Sequence, residues 1–158
     1  MLNVKIICVG NLKEKYWVDA VKEYSKRLSA HCKFQVIELP EAKCDKNPSE
    51  ASVNKALEEE AKAILQAANG SAVISLCIEG KLISSEELSK KLDNLALMGE
   101  SAVSFIIGSS FGLSETVKKA GERMSMSRMT FPHQLARVML CEQIYRAFQI
   151  SAGTKYHK

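Results

Sequence analysis

Three short segments combine residue types suited to holding a small polar ligand: Leu76-Cys77-Ile78-Glu79-Gly80-Lys81, Gly108-Ser109-Ser110-Phe111-Gly112-Leu113 and Ser127-Arg128-Met129-Thr130-Phe131-Pro132. Glycine lets the backbone take φ > 0 or approach a ligand closely, and Ser and Thr add short hydrogen-bonding side chains. A single segment of this kind reads as an ordinary tight turn. Three of them in the C-terminal half point to a site. None is a GxGxxG fingerprint or a Walker lysine loop, so dinucleotide and nucleoside-triphosphate binding are poorly supported. Two further groups of residues can act on a substrate. His133, Gln134 and Arg137 share one arc at the start of the last helical stretch, and the tail Gly153-Thr154-Lys155-Tyr156-His157-Lys158 packs an aromatic ring, an imidazole and two ammonium groups into four residues. Such groups stack on bases and contact phosphates.

Alternating strands and helices must position these residues. Val4–Val9 reads as a strand ending at Gly10, residues 15–30 as a helix, and Phe34–Leu39 as a strand stopped by Pro40. Residues 40–48 are loop-like, and 50–68 form an Ala- and Glu-rich helix closed by Asn69-Gly70. Ala72–Ile78 and Ala102–Ile107 are nearly continuous apolar runs, as expected of strands covered on both faces. Between them, Ser84-Ser85-Glu86-Glu87 opens a helix that ends at Gly99. Ser114 caps a short helix, 123–127 is a short fifth strand, and Pro132 opens a long helix to about Ile150. This order predicts one α/β domain over residues 1–158, a mostly parallel sheet with helices on both faces. Ligands of such sheets bind beyond the carboxyl ends of the strands, where the three segments lie.

The final helix changes character midway. His133, Gln134 and Arg137 occupy the side that later carries Ile144, Tyr145 and Phe148, while Leu135 and Met139 face the side later occupied by Glu142, Gln143, Arg146 and Gln149. An inversion of this kind suggests packing on the chain's own sheet and on a second subunit. Periodicity alone makes Glu142 and Arg146 a solvated i, i+4 pair and His133 a satisfied structural histidine.

The net charge of +4 conceals an asymmetry. Residues 1–117 hold 14 basic and 16 acidic side chains, whereas residues 118–158 hold 8 basic and 2 acidic. The composition is 46% hydrophobic and 25% charged over 158 residues, which fits one well-buried domain and excludes a disordered or fibrous chain. No apolar run reaches membrane-spanning length, and the N-terminus lacks signal-peptide features, so a cytoplasmic protein is expected. The 5 cysteines form no CxxC pair and have no histidine at zinc-ligand spacing, so no metal is expected. Cys8 and Cys77 lie in strand-like runs and read as small buried hydrophobes in a reducing compartment.

The runs Ser125-Met126-Ser127-Arg128-Met129-Thr130-Phe131-Pro132-His133-Gln134-Leu135-Ala136-Arg137 and Glu142-Gln143-Ile144-Tyr145-Arg146-Ala147-Phe148, with the terminal Tyr156-His157-Lys158, resemble the ribosomal large subunit methyltransferase H family of SPOUT-class enzymes. Lys13-Glu14-Lys15-Tyr16-Trp17, Glu79-Gly80-Lys81 and Ser84-Ser85-Glu86 match as well, and the similarity runs end to end. Ser109 departs from the pattern, where the family usually has a second glycine after Gly108.

The resemblance implies a homodimer whose C-terminal part forms a trefoil knot, S-adenosylmethionine as cofactor, and methylation of N3 of a pseudouridine in 23S ribosomal RNA within the assembled ribosome. It assigns the cofactor to Leu76, Gly108, Ser127, Arg128, Met129, Thr130, Phe131 and Pro132. The substrate side falls to His133, Arg137, Arg146, Tyr156, His157 and Lys158, with the tail completing the partner subunit's site and His133 or His157 assisting deprotonation. No metal or membrane is implied. A Rossmann-like small-molecule enzyme and a non-catalytic RNA-binding module are the alternatives.

Overall fold

The computed structural model describes residues 1–158. Five strands, β1 (Asn3–Val9), β2 (Lys33–Leu39), β3 (Ala72–Leu82), β4 (Ala102–Ile107) and β5 (Glu122–Ser125), form one sheet in the order β2-β1-β4-β3-β5, and every pairing is parallel. The helices are α1 (Lys15–Leu28), α2 (Glu50–Ala67), α3 (Ser85–Leu97), α4 (Glu115–Lys118) and α5 (His133–Ser151). A parallel neighbour can be reached only through a crossover, which is why helices intervene between the strands.

Period-2 alternation along β1 divides the core in two. Val4, Ile6 and Cys8 point to the face covered by α1, α3 and α5, where they join Phe105, Leu88, Leu92, Leu140 and Ile144. Ile7 and Val9 point to the opposite face, against Ala61 and Ile64 of α2 and Val117 of α4. The central strand β4 is buried at every residue, as its unbroken apolar sequence requires. Ser49, Ser84 and Ser114 cap α2, α3 and α4 by accepting the amides of Ser52, Glu87 and Val117.

Strand β3 departs from the sequence expectation. It does not stop at Ile78 but runs to Leu82, because residues 77–80 leave the ladder and return to it. Met124 of β5 is paired first with Leu76 and again with Lys81. The return brings Gly80 so close to β5 that a Cβ there would lie 2.6 Å from the Met124 carbonyl carbon and 2.7 Å from its amide nitrogen. Only glycine fits. The fifth strand is correspondingly shorter than expected, ending at Ser125, after which Ser125 Oγ donates to the Ser127 carbonyl and turns the chain out of the sheet.

The long helix α5 has one straight buried stripe, Arg137, Leu140, Cys141, Ile144 and Ala147, with Gln149 buried beside it against His31. The apparent inversion of faces is therefore corrected. The stripe does not change sides; its first turn is polar because a charged residue, Arg137, stands on the buried face.

Gly80→Ala forces β3 and β5 apart, with overpacking that costs about 1–3 kcal/mol. In a chain of this length that is a fall in Tm of about 2–12 °C, readable by differential scanning calorimetry.

Candidate functional site

The C-terminal ends of β3, β4 and β5 enclose a cavity of about 380 Å³. That is within the size range of small-molecule and cofactor sites. Its walls are the excursion Leu76–Glu79, the turn from Ile107 through Gly112 to Leu113, and the segment Met124–Pro132 running into His133 and Ala136. Apolar side chains predominate, among them Leu76, Ile107, Leu113, Met124, Met126 and Phe131.

Gly108 and Gly112 make the floor possible. A Cβ at Gly108 would lie 2.3 Å from the Gly112 carbonyl oxygen, so the two backbones touch directly, and Gly112 itself takes φ 86°. Ser109 needs no glycine backbone, since no residue other than glycine has positive φ. Its buried side chain instead fastens the turn: Oγ accepts the Phe111 amide at 3.3 Å and its carbonyl accepts the Gly112 amide at 2.9 Å. The Ser127 hydroxyl tightens the next loop by accepting the Met129 amide at 3.0 Å.

Of the residues assigned to a cofactor, Leu76, Gly108, Ser127, Met129, Thr130, Phe131 and Pro132 line the cavity, and Arg128 does not. Arg128 is exposed and faces away from the lining. The cavity also includes side chains that the sequence did not single out, above all Lys118, which reaches it from α4 and is bonded to Glu79. Cys77 lines it as well, and burial, followed by the nearby Glu79 carboxylate, pushes its thiol upward so that it stays protonated.

The assigned substrate residues separate into three places. His133 lines the cavity at the first turn of α5. Arg146, Tyr156 and His157 form a second cluster farther along the helix. At about 1.5 Å rise per residue, Arg146 lies about 20 Å from His133. Glu142 Oε1 accepts from Arg146 Nη2 at 2.6 Å, from Arg146 Nε at 3.0 Å and from Tyr156 Oη at 3.1 Å, while Oε2 accepts from Gln143 at 3.0 Å. The pair is not solvated, as periodicity suggested, since only 25% of the Arg146 side chain and 18% of that of Glu142 are exposed. The Arg146 guanidinium sits 4.9 Å over the Tyr156 ring, and Tyr156 meets Tyr145 edge-on at 5.0 Å. Burial and the Glu142 bond both raise the Tyr156 phenol.

His157 is held at both ring nitrogens. Arg146 Nη1 lies 3.1 Å from Nδ1, and Nε2 lies 2.6 Å from Glu86 Oε1 at the start of α3. A guanidinium only donates, so Nδ1 must accept and Nε2–H must donate to Glu86, which fixes the neutral Nε2–H tautomer. This hydrogen bond is the main cause lowering the Glu86 carboxyl. Lys158 is exposed and joins neither cluster.

Arg137 occupies the third place, and here the sequence expectation is corrected. It is 1% exposed and cannot face a substrate. Its guanidinium donates to Glu38 Oε2 at 2.7 Å and to the Gly10 carbonyl at 3.1 Å, and Glu38 Oε2 also accepts the Leu12 amide at 2.9 Å. The start of α5 is thereby tied to the ends of β1 and β2. Cys8 and Cys141 lie in the same core, and desolvation pushes both thiols up to about 12, which makes them packing residues.

Residues 2–157 match the family model described as "Predicted SPOUT methyltransferase". The ribosomal RNA large subunit methyltransferase H of Bacillus cereus strain ATCC 10987 is 50% identical over 159 residues, spanning 99% of this chain and 100% of that protein. A putative ribosomal RNA large subunit methyltransferase H of Methanococcus maripaludis strain C5 is 48% identical over the same span. Among solved structures, a probable methylase family protein from Haemophilus influenzae Rd KW20 superposes with a TM-score of 0.58 at 15% identity, covering 98% of this chain and 70% of that one, a likeness of fold.

Glu38→Ala leaves the buried Arg137 guanidinium with only the Gly10 carbonyl and costs about 2–3 kcal/mol in urea unfolding, less than for a fully buried pair because the Glu38 side chain is 39% exposed. Adding Arg137→Met to Glu38→Ala recovers part of that loss, because no buried charge then remains.

Proposed function

This chain belongs to the SPOUT methyltransferase family, and on that premise we propose that it transfers a methyl group from S-adenosylmethionine to large-subunit ribosomal RNA, at N3 of a pseudouridine in the 23S species. One observation carries this reading. The three segments that match the family's cofactor residues, far apart in sequence, converge on one cavity of suitable volume with close-packed backbone at Gly108.

The residues present suit the cofactor. Leu76, Met126, Met129 and Phe131 offer apolar surface to an adenosyl group, and the turn amides and carbonyls around Gly108 and Ser127–Thr130 offer short polar contacts. The bound cofactor supplies an electrophilic methyl on a sulfonium, so neither a metal nor a covalent nucleophile is needed from the protein. What the chain must do is hold the base in line and receive its proton. His133 is the imidazole at the cavity, and no hydrogen bond within the chain engages its ring. It takes the N3 proton as the methyl–nitrogen bond forms. His157, fixed as a neutral donor to Glu86, serves with Arg146 and Tyr156 to hold RNA bases and phosphates.

The distance between the two clusters argues for a homodimer. Two α5 helices related by a two-fold axis and crossing antiparallel place the tail cluster of one subunit beside the cavity of the other. Leu135 and Met139, half-buried on the side of α5 away from its core stripe, offer apolar surface for such a contact. A trefoil knot of the family's kind would be formed by the same C-terminal segment, from β5 into α5. A cytoplasmic location follows from a ribosomal substrate, and no helix is long and apolar enough to cross a membrane.

Methyl transfer from labelled cofactor to 70S ribosomes tests the reading: label enters 23S RNA only when the target pseudouridine is present, and absence of transfer to either ribosome overturns it. His133→Ala lowers the single-turnover rate about 10²-fold, the scale of a lost general base. Mixing a cavity-blocked chain (Gly108→Val) with a chain truncated after Gly153 restores activity through hybrid dimers, whereas either alone is inactive.

A further inference from the structure

Two oppositely charged side chains line the cavity, and they lock to each other across it. Lys118 Nζ lies 2.5 Å from Glu79 Oε1 and 3.8 Å from Glu115 Oε1. Glu79 belongs to the β3 excursion and Lys118 closes α4, so the pair ties one of the three wall segments to the short helix beside the cavity. The partners are unequally open. The Lys118 side chain is 17% exposed and directed at carboxylates, whereas that of Glu79 is 48% exposed and commits only one oxygen to the ammonium. The second oxygen, Oε2, has no partner in this pair. The other titratable groups of the lining are Cys77, whose thiol is kept protonated, and His133 at the far wall; Arg123 on β5 stands near Glu79 outside the lining. Glu79 is therefore the cavity's only carboxylate, and hydrogen bonding from Lys118 is the main cause holding it ionised.

Methyl transfer changes one thing about the cofactor's charge: a cationic sulfonium becomes a neutral thioether. The rest of the molecule is unaltered, and an apolar pocket has little means of telling two ligands apart by a single methyl. Charge is the larger handle. Glu79 lines the cavity itself, and the apolar walls leave its field less screened than it would be in open water.

We propose that Glu79, held in place by Lys118, makes the cavity prefer the sulfonium cofactor over its thioether product. The proposal rests on the reading that this cavity takes S-adenosylmethionine. It gives the ion pair two tasks: Lys118 fixes where the carboxylate sits, and the carboxylate's open oxygen faces the ligand's positive charge. Transfer removes that attraction, so the product is released more readily than the cofactor.

Isothermal titration of the wild-type chain, Glu79→Gln and Lys118→Met with S-adenosylmethionine and with S-adenosylhomocysteine tests this directly. Glu79→Gln keeps the shape and a hydrogen bond to Lys118 while removing the charge. The ratio of cofactor to product affinity falls about fivefold to tenfold in Glu79→Gln, through weaker cofactor binding with product affinity within about twofold of wild type. Lys118→Met removes the anchor that fixes the carboxylate and the bond that keeps it ionised, so the ratio falls there as well, by less than in Glu79→Gln. A common change in both affinities with Glu79→Gln, or no change in the ratio, overturns the proposal. So does a ratio that is unchanged or rises with Lys118→Met in a chain whose Tm is unchanged. Failure of the wild-type chain to bind either ligand overturns the reading of the cavity itself.

Discussion

Met124 faces strand β3 twice, and the arrangement of the C-terminal half depends on that double pairing. A continuous ladder between β3 and β5 would have left no room between them. Because residues 77–80 step out and Gly80 lets the strand return against bare backbone, a hollow opens at the sheet edge without loss of the pairing on either side. The hollow is then roofed by the segment from Ser125 to Pro132, whose direction is set where β5 ends. Lys118 spans it from the other wall, and α5 begins at its rim. One local irregularity of hydrogen bonding thus produces a cavity that regular parallel strands would not contain.

A second tie keeps that cavity in register with the body of the sheet. Arg137 lies on the apolar stripe of α5, and the cost of burying its charge is offset by Glu38 and by the carbonyl of Gly10, whose φ of 99° turns that oxygen inward. The contact joins the ends of β1 and β2 to the first turn of the last helix. The cavity wall and the far half of the sheet are therefore mechanically one piece. The positive stretch noted in the sequence is smaller at the surface than by count, since Lys118, Arg137 and Arg146 are all engaged by carboxylates of the same chain.

Much of this was legible in the sequence, for identifiable reasons. Apolar runs of five to seven residues alternating with helical periods dictate a parallel sheet, and glycine- or serine-rich segments at three strand ends mark where its carboxyl edge opens into a cavity. Those marks were sufficient to find the cavity. Long-range pairings were not legible. Arg137 looks the same whether it meets solvent or Glu38, almost a hundred positions away, and its polarity disguised a straight buried stripe as one that changed sides. Lys118 carries no signature beyond charge, and nothing in the segment around Glu79 announces their pairing. The sequence showed the tail only as a set of useful side chains, yet its order comes from Glu142, Tyr145 and Glu86, whose proximity only the tertiary fold supplies.

The order of the strands bears on how such a chain comes into being. The sheet's centre pairs β1 with β4, which are separated by most of the chain, so that pairing is non-local and its loop must close before its contacts repay the entropy. The hollow waits longer still. Its walls come from segments around residues 76, 108 and 127, and its roof and rim from the last of these and the helix after it. A chain emerging from synthesis acquires its four long strands and most of its helices before any part of the cavity can hold together. The cavity therefore reports completion: it appears in one step with the arrival of the last segment rather than growing with the fold.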